Sequence, residues 1–383
     1  MKSFQIFLLL VLLSCLINAE SIVSEVSRLQ VEKNKHTIPI SGNRLLTWDK
    51  SIVQLDNHII YRKSEGQIIN VMSNSIGQDP AAVIITSNSH QKNTFSILLI
   101  DDGGKVKAFK TIHKPFDEGI PTILFADSDI LLIKPEEQII LVYPIDGSKE
   151  SEYHLFDKPS WSHEKRIIFS KNSHGQYFLL GMRSADLKNS QNVTLFKMVD
   201  QPKLLAELPL TVPYHFTISD KNISAMIGTK SISGNHKQKP FLILLNKSKA
   251  IIHRPLELNQ LPQKTIWVRD KLFLIYRDHL IVYDSNAQLI PQKVKFSSQI
   301  FPFEVFSSET SVFIVSGNGI EADQKGNVYS LIDLVEYNIE THFVSVHTLQ
   351  DGPIRKVEYF PSEATNAFYL RLDNKLVQYR ISN

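Results

Sequence analysis

Short apolar runs separated by polar turns recur along the whole chain. Eight of these runs look alike, five of them end in Tyr, and their spacing averages about 45 residues. Runs of four to six β-branched, aliphatic and aromatic residues are typical of buried strands rather than helices. The eight runs are His58–Tyr61, Ile97–Ile100, Ile140–Tyr143, Thr194–Met198, Leu242–Leu245, Leu280–Tyr283, Leu334–Tyr337 and Leu376–Tyr379.

A second series of apolar runs lies about 15 to 30 residues before the first and keeps the same period. Asp or Asn residues stand between apolar runs at several points, as in Leu55–His58 and Leu372–Lys375, where tight turns favour them. No long window has the periodicity and the caps of a helix, so little helix is predicted. The second series is Leu45–Trp48, Val83–Thr86, Ile123–Ala126, Ile167–Ser170, Phe216–Ser219, Ile266–Arg269, Glu304–Ser307 and Val357–Phe360.

Eight copies of strand, turn and strand at this period predict an all-β fold, a β-propeller with eight blades. Seven blades remain an alternative, because the first copy, Asn43–Met72, is short. The last copy, Arg355–Ser382, has only three strand-like runs, whereas Ile22–Val31 is an apolar run without a copy of its own. We therefore expect Ile22–Val31 to pair into the last blade, which closes the ring and leaves no open sheet edge there.

The copy endings Ile281–Asp284 and Leu334–Tyr337 are similar to the third strand of WD40-type and YVTN-type blades. The resemblance extends over nearly all of the chain after the leader, and it implies the propeller architecture. A Trp-Asp pair occurs at Trp48-Asp49, but the full set of WD40 marks is absent, so no specific family is matched.

The first 19 residues have the layout of a secretory signal peptide: Lys2, an apolar run from Ile6 to Ile17, and Ala19 at the expected cleavage site. We predict a secreted or periplasmic protein whose residues 20–383 form a single propeller domain. The alternative is a lipid anchor at Cys15, because Leu12–Cys15 resembles a lipobox. No later run is long enough to span a membrane.

Composition excludes several function classes. The 383 residues carry 42 Lys and Arg against 39 Asp and Glu, with no basic stripe, which argues against nucleic acid as a partner. The one cysteine, Cys15, lies in the leader, so the mature chain has no disulfide, thiol nucleophile or thiolate metal site. The chain has no Walker or dinucleotide motif and no metal-binding His spacing, so we predict no cofactor and no metal.

Four carboxylates are the candidate site at the mouth of the propeller channel, because each follows a run assigned to an inner strand: Asp49, Asp127, Asp220 and Asp270. The alternative, ordinary turn residues, is favoured by their positions. Three sequons predict N-glycosylation if the source is eukaryotic, at Asn192, Asn222 and Asn246. Long polar insertions at 171–192, 229–239 and 316–329 are predicted loops and further candidates for binding.

The function expected from these features is a binding or scaffolding module. It would be a monomer and present one rigid face to a protein or glycan partner. The alternative is a propeller-type enzyme, a hydrolase or lyase with its site at the channel mouth. Two or more carboxylate or His side chains converging from different blades would favour the enzyme.

Overall fold

The structure is a computed structural model. It describes residues 22–31, 35–40, 44–74, 80–87, 94–112, 122–126, 129–134, 139–155, 167–171, 176–182, 193–198, 202–232, 235–246, 249–256, 260–284, 291–323, 326–362, 364 and 366–382. These residues form eight four-stranded antiparallel sheets and contain no helix. The fold is therefore an eight-bladed β-propeller, as the period predicts.

The chain divides into two compact units, and unit 1 comprises residues 1–114 and 300–383. It contains four blades, numbered in chain order and written from first strand to fourth. Blade 1 is β2 (His36–Ile40), β3 (Arg44–Trp48), β4 (Ile52–Leu55) and β5 (His58–Arg62); blade 2 is β6 (Gln67–Ser73), β7 (Ala82–Ser87), β8 (Phe95–Ile100) and β9 (Val106–Ile112). Blade 7 is β26 (Phe301–Ser307), β27 (Ser311–Asp323), β28 (Gly326–Asn338) and β29 (Val344–Ile354); blade 8 is β30 (Val357–Pro361), β31 (Ala367–Leu372), β32 (Lys375–Ser382) and β1 (Ile22–Gln30).

Unit 2, residues 115–299, contains the other four blades. Blade 3 is β10 (Thr122–Ala126), β11 (Asp129–Lys134), β12 (Ile139–Pro144) and β13 (Ser151–His154); blade 4 is β14 (Ile167–Lys171), β15 (Tyr177–Met182), β16 (Val193–Met198) and β17 (Pro202–Leu208). Blade 5 is β18 (Val212–Ile218), β19 (Ile223–Ile232), β20 (Asn235–Asn246) and β21 (Lys249–Pro255); blade 6 is β22 (Lys264–Val268), β23 (Lys271–Ile275), β24 (His279–Asp284) and β25 (Gln292–Lys295).

Burial varies across the blades. Second and third strands such as β7, β8 and β24 are buried on both faces, because neighbouring blades pack against them, whereas β3 and β4 of blade 1 alternate between buried and half-buried positions. The fourth strands alternate between half-buried and exposed positions, as in β13 and β25. This gradient explains why the third strands, which are continuous apolar runs, are the clearest signal in the sequence.

The structure corrects the phase of the repeat in the first two blades. The first series of apolar runs marks the third strand in seven blades, but its first member, His58–Tyr61, lies in β5, a fourth strand. The second series marks first strands in blades 3 to 8, whereas Leu45–Trp48 and Val83–Thr86 lie in second strands. The true first strands, β2 and β6, are interrupted by polar residues and by Pro39, so their apolar pattern is weak.

The predicted pairing of the chain ends is confirmed. Strand β1 pairs antiparallel with β32 from Ile22 opposite Ser382 to Gln30 opposite Lys375, with one irregularity between Glu25 and Ser27. It becomes the fourth strand of blade 8, whose other three strands come from the C-terminal end of the chain. The blade is thereby completed by main-chain hydrogen bonds between the two ends of the protein.

Two segments predicted as loops are instead extensions of hairpins. Residues 229–232 and 235–239 continue the β19–β20 pairing, and most of 316–329 continues the β27–β28 pairing. Both hairpins join the second and third strands of their blades. Of the third predicted loop, 171–192, the structure describes only 171 and 176–182, and the prediction is wrong there, because 171 ends β14 and 177–182 form β15, the second strand of blade 4. The described part of the chain contains no helix that is long and apolar enough to span a membrane.

His215 predicts a dependence of stability on pH. Its Nε2 lies 2.8 Å from the carbonyl oxygen of Pro262, to which a neutral ring donates. Burial, together with the charge of Lys264, lowers the pKa of His215, although the hydrogen bond to Pro262 opposes this. The unfolded chain therefore takes up the proton more readily than the folded protein. The contribution of His215 to the free energy of unfolding is fully present above a pH of about 6.5 and is lost as the pH falls from there through the folded-state pKa.

We expect His215→Gln, whose amide can also donate to Pro262, to weaken this dependence. Urea unfolding at pH 7.5 and 5.5 measures it: the wild type should lose more free energy of unfolding on acidification than the variant does. The comparison is needed because His36 and His253 also have lowered pKa values, owing first to burial. Parallel losses in the two proteins would show that His215 contributes nothing.

Candidate functional site

Asp49 does not follow a first strand, because the strand before it, β3, is the second strand of blade 1. Its Oδ1 accepts hydrogen bonds from the backbone amides of Ser51, at 2.7 Å, and Ile52, at 2.9 Å. The bond from Ser51, reinforced by the one from Ile52, holds the pKa of Asp49 below its usual value. Asp49 thus closes the turn between the second and third strands, at the opposite end of its blade from a turn between first and second strands.

Asp220 and Asp270 do stand on turns between the first and second strands, in blades 5 and 6 of unit 2. The ammonium group of Lys221, next to Asp220, lies 2.7 Å from the Asp270 carboxylate. The two turns are therefore joined by an exposed ion pair between neighbouring blades. Asp127 lies outside the described residues.

No group of three or more His, Cys, Asp or Glu side chains is placed to hold a metal ion in the described ranges. Of the predicted glycosylation sites, Asn246 is exposed at the end of β20 and Asn222 is half-buried on the turn before β19. Asn192 lies outside the described residues.

A cleft of about 530 Å³ lies within unit 1, and all its lining residues belong to that unit. The first strands of four blades form its walls, namely β26, β30, β2 and β6, with single residues from β3 and β31. Because these strands come from opposite ends of the chain, their side chains meet only in the folded protein. The volume is within the range of small-molecule sites.

Aromatic rings form part of the wall. The imidazole of His36 stacks on the indole of Trp48, with centroids 5.1 Å apart and planes 22° apart. Phe303, another lining residue, meets the ring of Tyr329 behind it edge-on, with centroids 4.9 Å apart. Phe360 also lines the cleft. Such rings provide flat apolar faces whose positions are fixed by their own packing.

One charged group of the cleft is a buried guanidinium, that of Arg371. Its Nη2 donates to the carbonyl of Lys35 at 2.8 Å, which joins blade 8 to the chain that enters blade 1. Its Nη1 lies 3.7 Å from Oε2 of Glu358, and the Glu358 carboxylate also lies 2.8 Å from Nζ of Lys356. Glu358 in the cleft lining therefore lies between the guanidinium of Arg371 and the ammonium of Lys356, which is outside the lining.

These surroundings determine the charge of two further lining residues. Burial lowers the pKa of His36, and the positive charges of Arg371 and Lys356 lower it further, while Glu358 opposes them. The imidazole is therefore uncharged at neutral pH. Burial raises the pKa of Tyr359, as does the charge of Glu304, so its phenol stays protonated. The carboxylates of Glu304 and Glu358 supply acceptor groups of the cleft.

Sequence reasoning missed this cleft because it searched the turns that follow apolar runs. The functional groups lie on the strands themselves. Glu304 and Glu358 interrupt first strands that are otherwise apolar, and Arg371 interrupts the buried strand β31. A charged residue inside a buried strand is the signal that would have identified them, since it requires a partner or a function.

Gly317 in β27 positions the Phe303 wall of the cleft. A Cβ at this position would lie 3.0 Å from Cζ of Phe303 and closer still to the ring of Tyr329. We expect Gly317→Ala to displace both rings and to cost about 1–3 kcal/mol of unfolding free energy. Gly103→Ala is the control, because its nearest contact is the flexible Asp101 side chain at 3.2 Å. Equal urea-unfolding midpoints for the two variants would contradict the prediction.

Comparison with known proteins identifies no family. No protein-family model matches this chain, and no curated protein matches it. Among solved structures, YCF48 from Cyanidioschyzon merolae is 12% identical with a TM-score of 0.45, over 93% of this chain and 99% of that one. AztD from Citrobacter koseri is 11% identical with a TM-score of 0.47, over 92% and 89% of the two chains. BBS1N, in complex with ARL6DN, is 9% identical with a TM-score of 0.48, over 94% and 97%.

Proposed function

We propose that this chain is an exported β-propeller that acts as a binding module for a protein or glycan partner, with its ligand site in the cleft of unit 1. The observation that carries the proposal is the convergence of aromatic and charged side chains from three blades on one cavity of about 530 Å³, which a fourth blade completes. The guanidinium and ring contacts hold these side chains in place before any ligand binds, which limits the entropic cost of binding.

The leader supports export, and N-terminal sequencing of the protein from its own host tests it. We expect the mature protein to begin at Glu20 and to be recovered outside the cytosol, as a monomer by light scattering. An N-terminus at a lipidated Cys15 would indicate the anchored alternative. A full-length cytosolic protein would refute export.

Asn246 is the best-placed glycosylation site among the described residues, because its side chain is exposed at the end of β20. When the chain is secreted by a eukaryotic cell, we expect Asn246→Gln to lower the total glycan mass by the mass of one N-linked glycan. Intact-mass measurement before and after enzymatic deglycosylation checks this. Unmodified Asn246 in the secreted wild type would contradict it.

The binding function is tested by calorimetric titration of the mature protein with probes of two classes, tripeptides and trisaccharides. At least one class should bind saturably. Its affinity should fall in Glu358→Gln, which alters the cleft, but not in Glu321→Gln, which alters an exposed carboxylate on the β27–β28 hairpin. The proposal fails if neither class binds or if the two variants behave alike.

One observation favours the enzyme as a second candidate. Glu304, Glu358 and His36 come from three different blades and line the same cleft. Two carboxylates beside an uncharged imidazole are groups that can donate and accept protons in hydrolysis or elimination. Chromatography of a bound trisaccharide after prolonged incubation tests this: an enzyme would release products, and Glu304→Gln or Glu358→Gln would stop the release.

A further inference from the structure

The charge of the cleft is balanced. The ammonium of Lys356 lies 2.8 Å from Glu358, and the guanidinium of Arg371 lies 3.7 Å from the same carboxylate. Glu304 supplies a second negative charge, and His36 is uncharged at neutral pH. Lys356 lies outside the lining of the cleft, but together with Arg371 it places two positive charges near the two carboxylates, so the cleft and its immediate surroundings carry no net charge that would attract a strongly charged ligand.

The polar groups of the cleft differ in the hydrogen bonds that they can form. The carboxylates of Glu304 and Glu358 only accept, whereas the guanidinium of Arg371 only donates. Nη1 of Arg371 is 3.7 Å from Glu358, which exceeds a hydrogen bond, so it retains donor capacity beside an acceptor. A carboxylate and a guanidinium side by side match two neighbouring hydroxyl groups, one of which donates while the other accepts.

The apolar parts of the cleft are flat. The His36 and Trp48 rings form one stacked pair, and Phe303 is fixed edge-on against Tyr329. A sugar ring has an apolar face of C–H groups and an edge of hydroxyl groups, so it can lie against such a ring while its hydroxyls reach the polar wall. An extended peptide offers one donor and one acceptor per residue along its main chain, which is a poorer match for paired carboxylates.

We propose that the cleft binds a short neutral oligosaccharide, whose ring packs on Phe303 or the His36–Trp48 pair and whose adjacent hydroxyls bridge Glu358 and Arg371. This inference rests on the proposed binding function and specifies its ligand class. The volume of about 530 Å³ suits a ligand of this size.

A printed array of neutral and acidic oligosaccharides tests the ligand class, followed by titration with the strongest binder and with tripeptides. The array includes maltotriose, cellotriose, mannotriose and N-acetylchitotriose. We expect a neutral oligosaccharide to bind saturably. Its Kd should change less than twofold between about 50 and 500 mM salt, because a neutral ligand has no charge to screen.

Two pairs of matched variants localise the binding. Glu358→Gln should raise the Kd at least tenfold, since a charge-assisted hydrogen bond becomes a neutral one, while Glu321→Gln leaves it unchanged. Phe303→Ala should raise the Kd similarly, while Phe343→Ala, which removes an exposed ring outside the cleft, does not. Thermal unfolding of each variant shows whether it is folded, and Phe303→Leu replaces Phe303→Ala if the latter is not.

The possible failures can be told apart. Saturable binding of tripeptides alone, sensitive to Glu358→Gln, would refute the sugar ligand but support a binding cleft. Strongly salt-dependent binding of acidic sugars alone would refute the neutral ligand. If no probe binds, or if the cleft variants match their controls, both the ligand class and the proposed function are refuted.

Discussion

Deletion of residues 20–30 converts the protein into a self-associating species, which size-exclusion chromatography with light scattering detects as dimers or larger assemblies. The deletion removes β1 and leaves blade 8 with three strands. The main-chain groups of β32 that pair with β1 then form an open sheet edge, which can pair with another molecule. Among the side chains of β1, Val23 packs on the buried core, whereas those of residues 24–30 are exposed, so pairing rather than packing is the main contribution of this strand.

The control keeps β1 and changes only its exposed apolar side chains. Val26 and Leu29 are 47% and 44% exposed, and Val26→Ser with Leu29→Ser preserves the main-chain pairing. We expect this double variant to remain monomeric. A deletion variant that stays monomeric and unfolds at the wild-type temperature would show that blade 8 does not need its fourth strand.

Arg371→Leu should lower the free energy of unfolding by about 1–3 kcal/mol, because two part-buried carbonyl groups lose their donors. Arg371 donates from Nη2 to Lys35 at 2.8 Å and from Nε to Asp373 at 3.3 Å, and its side chain is 7% exposed. Leucine fills part of the same space but donates nothing. Arg371→Lys should recover only part of the loss, since an ammonium cannot reproduce the planar arrangement of donors.

Arg355→Leu is the matched control for an arginine that is equally well paired but exposed. Its guanidinium makes two hydrogen bonds to Asp323, at 2.8 and 2.5 Å, on the surface of unit 1. Water solvates both partners when such a pair is lost, so we expect little change in stability. Urea unfolding of the three variants and of the wild type measures the loss of unfolding free energy in each. Similar losses for Arg371→Leu and Arg355→Leu would contradict the structural role given to Arg371.

Most of the fold was predictable because each blade is built from neighbours in sequence. Third strands such as Leu280–Tyr283 and Leu334–Tyr337 are buried on both faces and therefore leave a continuous apolar run. Antiparallel hairpins need only a short turn between such runs, so the pattern of runs and turns shows the blade directly. The pairing of Ile22–Val31 into the last blade was predictable for a different reason. The last repeat has only three strand-like runs, and Ile22–Val31 is an apolar run that belongs to no repeat.

The first two blades show where this reasoning fails. Strands β2 and β6 line the cleft, and polar side chains such as His36 and Asn70 interrupt their apolar pattern. In these blades the strongest apolar runs are therefore the second strands, β3 and β7, and Asp49 follows a second strand rather than a first. The polar residues that line the cleft are the ones that weaken the apolar pattern from which a strand is predicted.

The sequence by itself determined the all-β class, the repeat of about 45 residues and the closure of the last blade, and it left the number of blades at seven or eight, because these features follow from local hairpins and from the need to bury apolar runs. Only the tertiary structure decided where a site could be. The hydrogen bond from Arg371 to Lys35 spans 336 residues of sequence, and the ring of Phe303 reaches the same cleft from a third blade. The periodicity of the sequence does not show which side chains of distant strands face one another, because that depends on how the blades pack. The carboxylates on the turns were visible in the sequence, but the cleft was formed by folding.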